Sequence, residues 1–431
     1  AAAVVLFLPG LAWQAWSPVD GRDPLERLAG ALGISVGVSV LAGSHTLATP
    51  LTLSGAATVS LGSGTELQVT DVASGSGSLT VTGAGRLALD GTTGGGATVA
   101  VPDADALGGA ALSLDGGTLS VANSDTLGGS VTLGAAGGTF RLGAGQTVQL
   151  DAAVTGAGGL TKAGGGVLTL GACAGGYSGT PASDGGTLTV PALPAGALVL
   201  GRGTLAFSGA SGSSSQPVTI ASGTNAAVLR TDGDLTLSGP IASASGALFK
   251  CGTGGVTIAG ANTNRIGAAN AANMGGVAAA GADGDGPAVG FGAFNVAQGR
   301  VTLGAAGQTN TIAGALLVGL NTTSAAGAET AGELVVAGGL ITCSDWTYVG
   351  RNNGTAVTAP GGLASRLLVQ DGELNTVNLS LGGASGFAGY TGRPVLELQG
   401  GTCTVQALLY AGETAGGVST LWVNGGTLRH L

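Results

Sequence analysis

A thirteen-residue cassette occurs three times along this chain, as GSLTVTGAGRLAL at Gly77–Leu89, GGLTKAGGGVLTL at Gly158–Leu170 and GALFKCGTGGVTI at Gly246–Ile258. Each copy alternates apolar and other residues, breaks at glycines and alternates again. That is the pattern of a half-buried strand, a turn and a second strand. A small unit of this kind cannot bury its apolar side alone. It must stack on its neighbours, and burial then grows with the number of units. The chain is therefore read as an all-β solenoid. Alternating Leu, Val and Ile point inward over their equivalents, roughly 4.8 Å above and below, and glycines take corners where the backbone turns left-handed or approaches another strand closely.

Glycine supplies 87 of 431 residues, yet there is no strict Gly-X-Y period and there are only 13 prolines, which rules out a collagen triple helix. With 44% apolar residues the chain has material for a core. Charged residues are only 9%, and lysine occurs only at Lys162 and Lys250, so Thr, Ser and Asn carry most of the solvation. A net charge of −9 offers no basic stripe, and no nucleic-acid partner is expected. The cysteines, Cys173, Cys251, Cys343 and Cys403, form no CxxC pair, and the only histidines are His45 and His430. No zinc site, redox site or cofactor is expected. Ile34, Val36, Val38 and Val40 alternate with Ser or Gly, which is strand periodicity rather than a transmembrane segment.

Four segments follow from these patterns. Residues 1–48 contain Trp13, Trp16 and the best helix signal, Asp23-Pro24 ahead of Leu25, and are read as an N-terminal cap. Their first twelve residues also look like the apolar half of a secretion signal. Residues 49–260 carry short alternating strands. Residues 261–290 lose the alternation and are read as a glycine- and alanine-rich loop or linker. Residues 291–431 hold a second array, with first strands at Phe294-Asn-Val296, Leu334-Val-Val336, Leu367-Leu-Val369, Leu396-Glu-Leu398 and Leu421-Trp-Val423. In that array Leu334 and Leu396 are expected inward, and Val335 outward and tolerant of change.

The run Thr155–Leu170, followed by Tyr177-Ser-Gly-Thr and Gly185-Gly-Thr-Leu-Thr-Val190, closely resembles the autotransporter-associated beta-strand repeat, also called the passenger-associated transport repeat. The resemblance covers roughly residues 75–260, and the later array resembles glycine-rich repeats that accompany the same passenger family. It implies a right-handed parallel β-helix in the passenger of a large bacterial protein, extracellular or on the outer cell surface, with no catalytic residues. It also implies an outer-membrane barrel, which this sequence would have only if one is encoded downstream; the chain is expected to be a segment of a longer protein. The role expected is non-enzymatic: adhesin, spacer or structural scaffold. A self-assembling filament or sheath subunit is the first alternative, and a polysaccharide-degrading enzyme the second.

An enzyme on this architecture would gather acidic and basic groups on one face. Here the carboxylates sit mostly in turns such as Asp115-Gly, Asp184-Gly and Asp371-Gly, where Asp has a turn-forming role. Asp232-Gly-Asp234 and Asp283-Gly-Asp285 resemble fragments of calcium loops but lack the further ligands, so no metal site is expected. Lys162 and Lys250 have inward parity just before a turn, which lets the ammonium reach out at the corner. Cys343 and Cys403 fall inward two rungs apart, roughly 9.6 Å, beyond disulfide reach. They are expected as buried thiols. One cluster stands out. Trp346, Tyr348 and Tyr410 point outward on one face of a chain with 3% aromatics, and Trp422 is outward on a neighbouring strand. Large rings on a β face either pack under another element, such as residues 351–365 or a second protomer, or bind a partner, for which a surface glycan is the candidate.

Overall fold

The computed structural model describes Val4–Phe7, short strands between residues 37 and 102, and residues 112–171, 177–193, 195–267, 293–319, 332–350, 365–382, 394–411 and 418–431. These residues form strands and turns, with no helix among them. The chain makes two compact units, residues 1–182 with 186–196, and residues 183–185 with 197–431. The helix expected near Asp23 lies outside the described residues. Of the segment read as a cap, Val4–Phe7 pairs antiparallel with Gly37–Val40.

In the first unit, strands Gly37–Val40, Ala56–Leu61, Ser78–Thr82, Thr98–Val101, Gly117–Val121, Gly138–Leu142 and Leu160–Ala163 form one parallel ladder, each paired to the next. Leu51–Leu53, Ala73–Gly75, Thr92–Gly94, Leu112–Asp115, Val131–Leu133 and Val154–Gly156 form a second. Thr147–Leu150 and Val167–Leu170 belong to a third. Parallel neighbours cannot be joined by a tight hairpin, so the chain travels round and returns one coil later. The repeated return is a parallel β-helix. The cassette at Gly158–Leu170 supplies strand, turn and strand as expected. Its corner needs glycine: Gly164 has φ 78°, and a Cβ there would lie 2.2 Å from the Leu142 carbonyl oxygen of the coil beneath.

Register turns the alternation into a core. Val99, Leu119, Phe140 and Lys162 stack in one row, each at most 1% exposed, while Thr98, Thr118, Thr139 and Thr161 between them face outward and are partly exposed. Each enclosed Leu or Phe contributes about 1.5–3 kcal/mol. The sum grows coil by coil.

The second unit stacks in the same way. One ladder runs Ser211–Ser214, Asp234–Leu237, Val256–Ile258, Gly299–Leu303, Gly332–Val336, Arg366–Val369, Val395–Leu398 and Thr420–Val423. Leu334, Leu367 and Leu396 form a fully enclosed row within it, as expected of the anchors. Facing strands Leu340–Val349, Glu373–Leu381 and Thr402–Ala411 each turn a corner, marked by a register shift.

Four expectations change here. Phe294–Val296 is not the first strand of the later repeat: it pairs with Leu316–Val318, and the partner of Gly332–Val336 is Gly299–Leu303. The two triplets look alike, so spacing alone could not separate them. Segment 261–290 begins with a strand, Thr263–Ile266, paired to Thr309–Ile312; its residues 268–290 lie outside the described residues. Val335 has outward parity but is 5% exposed. Leu317, outward on a facing strand, is likewise enclosed, with Trp346 and Tyr348 packed against it. Lys162 and Lys250 do not reach solvent; both are enclosed, with the ammonium turned onto main-chain carbonyls.

Candidate partner face

Leu316–Val318, Leu340–Val349, Glu373–Leu381 and Thr402–Ala411 carry the outward aromatics. Their register places Leu317, Tyr348, Ser380 and Tyr410 in one outward row, and Trp346, Asn378 and Leu408 in the next. Tyr348 and Tyr410 are thus two coils apart, with only the small Ser380 side chain between. Trp346 fills that gap. Its ring lies 5.2 Å from the Tyr348 ring at 11° and 5.9 Å from the Tyr410 ring at 9°. The result is a three-ring stack lying over the buried Ser380.

The three residues named from sequence are therefore brought together, and their exposure is graded. Trp346 and Tyr348 are half-buried and pack on the buried pair Ala315 and Leu317. Tyr410 is 38% exposed. Both faces of the Trp346 ring are taken by tyrosines, so a ligand would have Tyr410 and the ring edges to meet. Trp422 is 60% exposed but belongs to the other ladder.

That other ladder carries an ionic row that spacing did not reveal. Arg366 donates to Glu333 at 2.9 Å and to Glu397 at 2.5 Å, and Arg300 pairs with Glu333. Gln399 donates to the second oxygen of Glu397 at 2.7 Å. The Gln399 amide, with the Arg366 guanidinium, holds the Glu397 carboxyl below its usual range against the opposing pull of burial. The signal in the sequence was an acidic residue where Val335 and Leu368 stand in neighbouring coils.

Other residues weighed from sequence have structural partners. Asp232 pairs with Arg230 at 3.2 Å, and Asp234 accepts from the Gly255 N–H at 2.9 Å. No group of three or more potential metal ligands occurs among the described residues, and Asp283 and Asp285 lie outside them. Cys343 and Cys403 are free and buried. Burial raises both thiols, Cys403 to about 12. An interior amide chain went unnoticed in the sequence: Asn264 donates to Asn310, Asn310 to Gln308, and Gln308 to the Gly260 carbonyl. No family model, curated protein or solved structure matches this chain.

Proposed function

We propose that this chain is part of a non-enzymatic bacterial β-helical passenger, secreted or carried on the outer cell surface, that serves as an adhesin, spacer or structural scaffold. The supporting observation is the stacking itself. Rows such as Leu334, Leu367 and Leu396 continue from coil to coil without interruption, and a repeat protein of this kind gains reach simply by adding coils. The hydroxyl-rich outward positions of the first unit suit a surface that stays soluble at low charge. The cassettes point to the passenger class by resemblance. For adhesion, the graded ring stack offers Tyr410 as the contact, because a flat ring with an accessible face packs well on the apolar face of a sugar.

Two measurements test this reading. A tagged protein in the producing cells should be found in the medium or be removed by external protease; a protease-protected cytoplasmic pool would overturn it. On glycan arrays, Tyr410→Ala should abolish retention while preserving the fold. If the unaltered protein shows no retention, the rings are packing elements and the role narrows to spacer or scaffold.

A further inference from the structure

Lys162 and Lys250 occupy the same cassette position, one in each unit, where the Gly77–Leu89 copy has Val81. Both side chains are enclosed, at 0% and 1% exposure, and each ends at the glycine corner that follows it. Lys162 Nζ donates to the Ala163 and Gly164 carbonyls at 2.8 and 2.6 Å. Lys250 Nζ donates to the carbonyls of Gly252, Gly254 and Gln298 at 2.7, 2.5 and 3.0 Å. An ammonium has three donors and no acceptor, which suits a corner that turns several carbonyls inward. Buried carbonyls need such donors.

The Lys250 cage is built rather than incidental. Gly252 is left-handed at φ 81°, and its N–H is held by the Gln298 side-chain oxygen at 3.2 Å. A Cβ at Gly299 would sit 2.6 Å from Nζ and from two of the accepting carbonyls. Gln298 lies beyond segment 268–292 in the chain, so the ammonium joins backbone from both sides of that segment. Burial pushes Lys250 down to about 8, with Cys251, Asp232 and Asp234 opposing, which leaves it charged at neutral pH.

We propose that these two corners are carbonyl-lined sites for a compact monovalent cation, filled in this chain by its own tethered lysine ammonium. Truncating the side chain then leaves a vacancy matched to ammonium or methylammonium. The test is thermal unfolding at neutral pH of Lys250→Ala and Lys162→Ala, titrated with methylammonium chloride and, at equal ionic strength, tetramethylammonium chloride. Both variants should melt lower than the unaltered protein, and methylammonium alone should restore them. Lys250→Met, which refills the channel without charge, should melt low and stay low in either salt. Restoration by both salts or by neither, or an unchanged melting temperature in Lys250→Met, overturns the proposal. Should the alanine variants fail to fold, nitrogen-15 NMR of the unaltered protein decides. Ammonium protons of Lys162 and Lys250 should exchange slowly with water; fast exchange contradicts the cage.

Discussion

Strand Val131–Leu133 of the first unit buries Val131 and Leu133 and leaves Thr132 exposed, whereas Gly332–Val336 of the second buries Leu334, Val335 and Val336 alike. The contrast sets in partway through the second unit, where Val256–Ile258 and Thr309–Ile312 still alternate. Thr98–Val101, Leu112–Asp115 and Val167–Leu170 alternate strictly in the first unit. Leu316–Val318, Arg366–Val369 and Val395–Leu398 in the second are buried at three consecutive positions. A strand with one wet face alternates, and a strand covered on both faces reads as a continuous apolar run.

One outward column shows the change in progress. Ser213, Thr236, Thr257, Thr302, Val335, Leu368, Glu397 and Trp422 are successive partners across the second unit. Hydroxyls give way to buried aliphatics, then to a carboxylate held by Arg366 and Gln399. The inward position beside this column stays aliphatic, through Leu235, Val256, Val301, Leu334, Leu367 and Leu396. A β-helix can thus keep the inward positions of one ladder aliphatic and enclose its outward ones by changing one residue per coil.

The comparison can be broken at several strengths. Leu119→Asp and Leu334→Asp each place a carboxylate in an enclosed row, so both units should lose cooperative thermal unfolding, at a cost of several kcal/mol. Retained cooperativity in either would show that its row is not an enclosed core. Leu317→Ala should cost about 2–5 kcal/mol by denaturant titration, while the outward Thr132→Ala should stay within about 0.5 kcal/mol; similar values would erase the difference between the units. Trp346→Ala removes two ring contacts of about 0.5–1.5 kcal/mol each, and a neutral result would detach the ring stack from the outer layer. The smallest effect is at Glu397. Its folded pKa is lowered, so its contribution is complete above the usual carboxylate range and fades as pH falls through the lowered value. Glu397→Gln should lack that part of the acid dependence of the melting temperature, and an identical acid profile would leave the ionic row without a role in the outer layer.

The inner half of this architecture was legible because parity is a local signal. Leu334 and Leu396 follow from alternation alone, and so does the outward set Trp346, Tyr348 and Tyr410. The outer half was not, because burial of Val335 and Leu317 depends on what lies over them. The clue was present in the triplets Leu316-Leu317-Val318 and Leu367-Leu368-Val369, which break alternation. Lys162 and Lys250 were placed inward correctly, but their destination depended on the direction of corner carbonyls, which composition does not encode. Asn310 hid the register of its coil by putting an amide where Ile341, Leu374 and Cys403 stack.

Thiol labelling measures the outer layer itself. Thr132→Cys and Val335→Cys, each in a background with Cys173 and Cys251 changed to serine and the buried Cys343 and Cys403 retained, are exposed to a small maleimide under native conditions. The two-layer account predicts that Thr132→Cys reacts at the rate of a free thiol and that Val335→Cys reacts only as fast as the unit unfolds. Equal, fast labelling at both positions would contradict it.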